Sequence, residues 1–211
     1  GVWDAGLYLP LQAGLLTVRG YGDAQSYNQT LSAIASDRDS ERFLRTQHVP
    51  AQMAGANAQW AQTFGKHTFT FGGELREVTG ASDEVAFSQS LPTSRTITGG
   101  HQRSSGLFAQ DRIALTKRLQ GTVGLRFDRW NNFNALATTV PLNTLEVTQI
   151  RLPQRQETAA SPQIGLVYRA SQHISLTASG YRAFRTPTVN ELSRGFRLGN
   201  LQPNATPPPP A

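Results

Sequence analysis

A strict alternation of side chains over residues 119–128 is the feature that most limits the possible fold. Apolar or small side chains occupy the odd positions Leu119, Gly121, Val123, Leu125 and Phe127. Polar or small side chains occupy the even positions Gln120, Thr122, Gly124, Arg126 and Asp128. Successive side chains of a strand point to opposite faces, so a repeat of two residues predicts a β-strand with one apolar face.

Other segments with the same alternation predict an all-β chain. The segments that share it, the last three more weakly, are 67–77, 163–169, 174–181, 15–35, 49–64 and 104–115. A further strand is expected at 3–9, before a turn from Pro10 to Gly14. Together these segments predict an antiparallel meander of about seven or eight strands.

The connections between the expected strands alternate between short and long. Tight turns are expected at 65–67, 116–118 and 170–173. Long polar loops are expected at 36–48, 78–103 and 130–160. Outer-membrane barrels have short turns at one end and long loops at the other, whereas a soluble β-sandwich is not expected to separate them so consistently. The connections therefore favour a transmembrane β-barrel.

Composition is compatible with a membrane barrel and excludes other classes. The hydrophobic fraction is 38% and the mean hydropathy is −0.38, and no apolar run approaches the roughly 18 residues of a membrane helix. In a barrel the lipid-facing and lumen-facing side chains average out, so low hydropathy does not exclude the membrane. Cysteine is absent, which excludes disulfides and zinc–thiolate sites. The first residues, Gly1 to Asp4, carry no signal-peptide pattern.

The net charge of +6 raises the question of nucleic-acid binding. The arginines are scattered from Arg19 to Arg197, often beside acidic residues, and form no dense basic block. Because nucleic-acid binding requires a clustered basic patch, we expect no nucleic-acid partner.

One motif of about a dozen ordered positions is far more specific than the periodicity. The segment Tyr181-Arg-Ala-Phe-Arg-Thr-Pro-Thr-Val-Asn-Glu-Leu192, continued by Arg194-Gly-Phe-Arg-Leu-Gly-Asn200, resembles a motif of TonB-dependent outer-membrane receptors. Other segments resemble two hairpins of the same family: Ser105–Asp111, Leu115–Leu119 and Val123–Asp128 for the first, and Ser161–Tyr168 and Ile174–Ser179 for the second. The resemblance covers most of residues 15–200.

The resemblance implies a function as well as a fold. Such receptors form barrels of about 22 strands whose lumen is filled by a plug domain. They lie in the bacterial outer membrane and take up scarce nutrients such as ferric siderophores, haem or cobalamin, with energy relayed by TonB. The implied chain is a transporter and not an enzyme. We expect no cofactor, and the expected partners are outer-membrane lipid, a plug domain, further barrel strands and the TonB complex.

The chain matches only part of that family pattern. No plug domain, no TonB-contacting segment and no final strand ending in an aromatic residue are visible in the sequence. We therefore expect residues 1–201 to form part of a TonB-dependent receptor barrel, open rather than closed. Residues 202–211 are expected to form a proline-rich disordered tail, since proline removes the donors that a strand needs.

Two alternatives remain open at the level of sequence. A complete eight-stranded outer-membrane barrel with a structural or adhesive role suits the chain length. An outer-membrane enzyme is a third class, but no nucleophile–base constellation supports it.

The candidate site residues are the charged groups of the motif: Arg182, Arg185, Glu191, Arg194 and Arg197. In one interpretation they form a lumen-side cluster that meets the plug or an anionic ligand. In the other they form structural ion pairs in a polar lumen, which barrels have whatever they transport. The four histidines, His48, His67, His101 and His173, are isolated in sequence, and we expect no metal site.

The alternation also predicts which side chains face lipid. Residues expected on the outer surface are Phe69, Phe71, Leu75, Val123, Leu125, Phe127, Ile164 and Leu166. Residues expected on the concave side are Arg76, Gln120, Arg126, Asp128 and Gln163. The aromatic residues near expected strand ends are Trp60, Phe64, Trp130 and Tyr168. They suit either an interfacial aromatic girdle or the general preference of aromatics for strands.

Overall fold

The structure, a computed structural model, describes residues 1–183. These residues form nine β-strands: β1 (Val2–Leu11), β2 (Gly14–Ile34), β3 (Glu41–Phe64), β4 (His67–Ser88), β5 (Leu91–Ala114), β6 (Leu119–Pro141), β7 (Thr148–Arg151), β8 (Arg155–Arg169) and β9 (Ser175–Tyr181). Within this part of the chain no helix is long and apolar enough to cross a membrane.

All nine strands belong to one antiparallel sheet, ordered β1-β2-β3-β4-β5-β6-β8-β9. The short strand β7 pairs only with the far end of β6, at Leu136–Thr139. Within residues 1–183, β1 and β9 do not pair with each other, so the sheet is not closed. The predicted open meander is confirmed. The ninth strand, β7, was not predicted, because it lies inside the polar stretch 130–160.

The tight turns are confirmed, and local side-chain chemistry explains them. Between β3 and β4 the chain reverses at Gly65, whose φ of +57° suits glycine. Between β5 and β6 the hydroxyl of Thr116 accepts hydrogen bonds from the backbone N–H groups of Arg118 and Leu119, at 3.1 and 3.0 Å. Between β8 and β9 the hydroxyl of Ser171 accepts hydrogen bonds from the backbone N–H groups of His173 and Ile174. Such hydroxyl contacts stabilise turns by satisfying free backbone donors.

The prediction of long loops at 36–48, 78–103 and 130–160 is wrong for most of their residues. Strand β3 already begins at Glu41, and β6 continues to Pro141. Strands β4 and β5 meet at a two-residue turn, Gln89-Ser90, where both φ angles are positive, at 48° and 65°. This conformation matches the right-handed twist of the flanking strands. The strands therefore extend far beyond the segments that show alternation.

Cross-strand register assigns each side chain to one of two faces. Phe127 of β6 lies opposite Leu107 of β5, and Leu107 lies opposite Gly73 of β4. We call the face that carries Leu107 and Phe127 the outer face, and the opposite one the inner face. The register places all eight residues predicted for the lipid side on the outer face and all five predicted for the concave side on the inner face. The predicted division of these thirteen residues between two opposite faces is confirmed, and contact of the outer face with lipid stays a prediction.

The inner face is the more crowded of the two. Among the described residues, the polar and aromatic side chains that are least exposed are Thr17, Gln47, Gln102, Trp130 and Asn132. All five lie on the inner face. Outward residues such as Leu107 stay open, with 70% of that residue exposed.

The aromatic residues divide between the two faces. On the outer face, Trp60 stacks on Phe71 at 5.9 Å between ring centroids, and Phe69 follows at 6.4 Å from Phe71. The indole N–H of Trp60 donates to the backbone carbonyl of Ala13 at 2.6 Å. Trp130, by contrast, is 1% exposed on the inner face in the middle of β6. The girdle interpretation is therefore wrong for Trp130, because that strand continues well past it.

Candidate functional site

Two polar contacts between neighbouring strands mark the limits of an apolar band on the outer face. At the end near the short turns, His67 contacts Asp111 at 2.7 Å. Farther along the same strands, Glu77 pairs with Arg103 at 3.0 Å. Between them, β4 presents only Phe69, Phe71, Gly73 and Leu75 to the outside. The interval from His67 to Glu77 equals the roughly 9–11 residues with which a tilted strand crosses a bilayer.

The inner face carries a charged cluster at the level of that band. Arg126 donates through Nη2 to Glu74 Oε1 at 2.8 Å. The same guanidinium contacts Asp128 Oδ1 at 2.7 Å through Nη2, and its Nε donates to Asp128 at 2.8 Å. Arg126 therefore ties β6 to β4 across the intervening strand. With two carboxylates and one guanidinium, the cluster has a net negative charge.

A glycine makes room for this bridge. A Cβ placed on Gly106 of β5 would lie 2.3 Å from Arg126 Nη2 and 2.8 Å from Asp128 Oδ1. Only a residue without a side chain lets the guanidinium lie flat across β5. The same arrangement recurs at Gly124, which lies beneath the Gln163 side chain as it reaches Gln110 at 3.0 Å.

Aromatic rings cover other inner-face glycines. The Phe108 ring lies over Gly72, where an added Cβ would come within 2.5 Å of it. The Tyr21 ring lies over Gly55 at a corresponding 2.6 Å. Rings above glycines compensate for the packing that a bare backbone loses. They give the inner wall apolar patches between its charged groups.

A second polar network lies beyond the band, on β2, β3 and β4. Its centre is Gln47, which is 3% exposed and donates to Ser82 Oγ at 2.7 Å and to Glu84 Oε1 at 2.9 Å. Glu84 also accepts a hydrogen bond from Arg45 at 2.9 Å, and Gln29 donates to Gln47. Each buried polar group finds a partner, as a stable network requires.

Some inner cations have no acidic partner. Arg76 and Arg112 both point to the inner face and form no ion pair within residues 1–183. An unpaired guanidinium is a strong donor to carboxylates and phosphates. In the described part of the chain, no group of three or more His, Asp or Glu residues could hold a metal ion. The inner wall thus presents guanidinium groups that can donate hydrogen bonds to anionic groups.

Comparison with known proteins identifies the family. A sequence profile described as "TonB dependent receptor-like, beta-barrel" matches residues 3–210. The chain belongs to this family. TonB-dependent receptors are transporters of the bacterial outer membrane. A comparison with curated proteins found no match.

Solved receptors share the fold of this TonB-dependent receptor chain. The ferric yersiniabactin uptake receptor FyuA from Yersinia pestis matches with a TM-score of 0.64 and 10% identity, over 84% of this chain and 27% of that one. BauA, the ferric preacinetobactin receptor from Acinetobacter baumannii, matches with a TM-score of 0.53 and 15% identity, over 84% and 30%. The chain therefore spans less than a third of the length of either receptor.

Of the five site residues predicted from the motif, only Arg182 lies within the described residues. The backbone N–H of Arg182 donates to the carbonyl of Pro162 at 3.1 Å. Its side chain borders a shallow pocket of 290 Å³ that Arg126, Gln163 and Tyr181 also line. Arg185, Glu191, Arg194 and Arg197 lie outside the described residues, so their grouping stays a prediction.

The sequence did not predict the second polar network of the inner face. Arg45, Gln47 and Glu84 lie in stretches that the sequence assigned to loops. One signal was available: the run Thr96-Ile-Thr98 on the neighbouring strand β5 is rich in β-branched residues, which favour strands.

An ion pair between Asp83 and Arg95 lies on the outer face, beyond the apolar band. Asp83 accepts two hydrogen bonds from Arg95, at 2.8 Å from Nε and 2.5 Å from Nη2. These bonds hold the pKa of the Asp83 carboxyl below its ordinary value. Partial burial opposes the shift, whereas the positive charges of Arg95 and His48 add to it. Since Asp83 lies well past Glu77 on β4, the pair belongs to the part of the strand outside the bilayer.

Proposed function

We propose that this chain forms part of the barrel wall of an outer-membrane receptor that takes up a ferric siderophore with energy relayed by TonB. Eight of its nine strands, all except the short β7, would supply a large share of the roughly 22 strands of a plugged barrel. The observation that carries the proposal is the family match over residues 3–210. The inner arginines without an acidic partner among the described residues, Arg76 and Arg112, agree with it, since an unpaired guanidinium binds carboxylates and other anionic groups.

The choice of substrate class has two supports. FyuA and BauA are both described as receptors for ferric chelates. Arg76 and Arg112 present unpaired guanidinium groups on the inner wall, and these attract carboxylate-bearing or phenolate-bearing ligands. Haem and cobalamin are the competing cargoes, and direct uptake measurements separate them.

The two polar networks of the inner face lie at different levels of the wall, and we propose that they have different roles. The Glu74–Arg126–Asp128 cluster lies at bilayer level, where a plug domain would fill the lumen. The Gln47–Glu84 network lies beyond the bilayer, where a ligand would first meet the barrel. We propose that the plug and the remaining strands come from sequence outside this segment. We also propose that the barrel segment extends to residue 201 and that residues 202–211 form a proline-rich disordered tail.

Uptake by the full-length receptor tests the proposed function. A strain lacking the receptor gene is complemented with the wild-type gene, and uptake is measured for radiolabelled ferric siderophores, haem and cobalamin, with and without active TonB. We expect TonB-dependent uptake of a ferric siderophore and of neither other cargo. Uptake only of haem or cobalamin would overturn the substrate class, and uptake that does not depend on active TonB would overturn the mechanism.

In the same uptake assay, substitution of Arg76 tests whether this residue contacts the ligand. Arg76→Gln removes an unpaired inner cation without changing side-chain length much, and we expect uptake at limiting ligand to fall about tenfold, the value of one charged hydrogen bond. Arg118→Gln, in the short turn between β5 and β6, serves as the matched control and should leave uptake unchanged. Equal uptake by both variants would remove Arg76 from the ligand path.

A further inference from the structure

The apolar band of the outer face contains a groove whose lining changes in character from one end to the other. Its volume is 910 Å³. The groove lies between two rows of outward side chains that run across the strands. The row nearer the short turns consists of Val18, Ala58, Gly73, Leu107, Phe127 and Ala160. The other row consists of Ala56, Leu75, Ser105, Arg129 and Thr158.

The length of the groove suits one extended hydrocarbon chain. It crosses β2, β3, β4, β5, β6 and β8, so its ends are five inter-strand spacings apart. At about 4.8 Å per spacing this is roughly 24 Å. Half of the hydrocarbon core of a bilayer is about 15 Å thick. Since the strands are tilted, a groove across them is inclined to the membrane and can hold most of a fatty acyl chain.

The polarity of the groove changes along its length. At the β3–β4 end both rows are apolar or small, with Ala56, Ala58, Gly73 and Leu75. At the β5–β8 end the row farther from the short turns becomes polar, with Ser105, Arg129 and Thr158. A ligand that fits this gradient has an apolar tail at one end and a polar head at the other.

Arg129 gives the polar end a positive charge. Its guanidinium is exposed and donates to the neutral side chain of Gln156 at 3.0 Å. The nearest outward acid by register, Glu77, is paired with Arg103 at 3.0 Å. The acids that border the groove, Glu74 and Asp128, point to the inner face and are held by Arg126. The charge of Arg129 is therefore available to an anionic group.

We propose that this groove binds a phosphorylated lipid of the outer leaflet, with an acyl chain along the groove and a phosphate on Arg129. The proposal rests on the membrane location in the proposed function. Arg129 lies in the row next to Glu77 and Arg103, at the border of the apolar band away from the short turns. In a receptor whose short turns face the periplasm, that border meets the headgroups of the outer leaflet. The lipid A portion of lipopolysaccharide has the required chemistry.

Native mass spectrometry of the full-length receptor in mild detergent tests this site. The delipidated receptor is mixed with phosphorylated lipid A, with its dephosphorylated form, or with inorganic phosphate as a competitor. We expect the phosphorylated lipid to be retained about tenfold better than the dephosphorylated one, because a charge-assisted hydrogen bond is lost with the phosphate. Free phosphate should not displace the lipid, since it lacks the acyl chain.

Two variants assign that binding to the groove. Arg129→Gln should abolish the preference for the phosphorylated lipid, whereas Arg112→Gln on the inner face should keep it. Ala56→Phe fills the apolar end and should weaken retention of both lipids, whereas Ala178→Phe, on the outer face of β9 and outside the groove, should not. A phosphate preference that survives in Arg129→Gln would overturn the proposal, and so would unchanged retention in Ala56→Phe.

The outcomes also separate this inference from the proposed function. A receptor that inserts into bilayers and transports its substrate, yet shows no lipid preference, overturns only the lipid site. A receptor that does not insert into bilayers overturns the membrane function itself, and the lipid site with it.

Discussion

At the scale of single residues, small side chains decide where large ones can lie on the inner wall. Arg126 reaches Glu74, 52 positions earlier in the sequence, only because Gly106 leaves the intervening strand bare. The alternation predicted that Arg126 and Asp128 face inward. It could not predict the partner on β4, because that contact depends on the register of three strands and on the glycine between them.

Gly106→Ala should destabilise the folded receptor by about 1–2 kcal/mol, since the new methyl group displaces the guanidinium and costs its charged hydrogen bonds. The matched control is Gly165→Ala, also on the inner face, where the added Cβ would meet Thr122 Cβ at an ordinary 3.8 Å. Denaturant-induced unfolding of both variants in detergent measures the difference. Equal stability of the two would show that the Arg126 bridge does not depend on Gly106.

Asp83 gives the part of β4 outside the bilayer a dependence on pH. Because its folded pKa lies below the ordinary value, the stability it contributes is complete above the unfolded pKa of about 3.9 and is lost as the pH falls through the lower folded value. We expect Asp83→Asn to lower the thermal midpoint at neutral pH and to match the wild type once the acid is fully protonated.

Thermal unfolding from neutral to strongly acidic pH checks this expectation for wild type and variant. Asp39→Asn, in the connection between β2 and β3, is the control, since Asp39 forms no ion pair among the described residues. A gap between wild type and Asp83→Asn that widens towards acid would contradict the assigned direction of the pKa shift.

At the scale of strands, the sequence predicted β2 over nearly its whole length, but in β3, β4, β5 and β6 it predicted the part within the apolar band and missed the part beyond it. Lipid on one side and a polar lumen on the other impose a strict alternation between His67 and Glu77. Farther out both faces meet water, so the contrast disappears and the polar segments resemble loops. In β6 a bulge adds to the effect, since Asn134 has a φ of +53° and the register of β5 with β6 shifts between Gly99 and His101.

A charge in the middle of the apolar band should prevent insertion. Leu125→Arg should cost roughly 2–4 kcal/mol of folding free energy if the side chain sits at the bilayer midplane. Thr122→Arg, on the inner face of the same strand, should cost much less because it faces the polar lumen. Folding of the full-length receptor into lipid vesicles, followed by the shift in gel mobility on heating, measures both. Equal losses in the two variants would contradict the assignment of faces.

At the scale of the molecule, the open sheet explains why this chain should not function alone. Strands β1 and β9 have unpaired edges within residues 1–183, and a sheet taken from a large barrel curves too gently to close. The sequence predicted this incompleteness through the family motif, not through periodicity, because alternation is the same in small and large barrels. Edges without partners and an apolar outer face promote association in water.

The isolated chain should therefore aggregate when expressed by itself. In detergent it should yield no protease-resistant monomer whose gel mobility changes on heating, whereas the full-length receptor should yield one. Size-exclusion chromatography with limited proteolysis measures both proteins side by side. A compact, resistant monomer from the chain alone would favour the small closed barrel.

Disulfide cross-linking between β1 and β9 tests most directly whether this chain is an open part of a larger wall. The chain has no cysteine of its own, so introduced pairs can be placed freely in a full-length receptor freed of other cysteines. Leu7 and Val18 are register partners of β1 and β2, and the double cysteine variant at these positions should cross-link on mild oxidation in native membranes. A double cysteine variant at Leu7 and Ala178, on the two edge strands, should not. An efficient Leu7–Ala178 cross-link would show that β1 and β9 meet, and that the chain closes on itself as a small barrel.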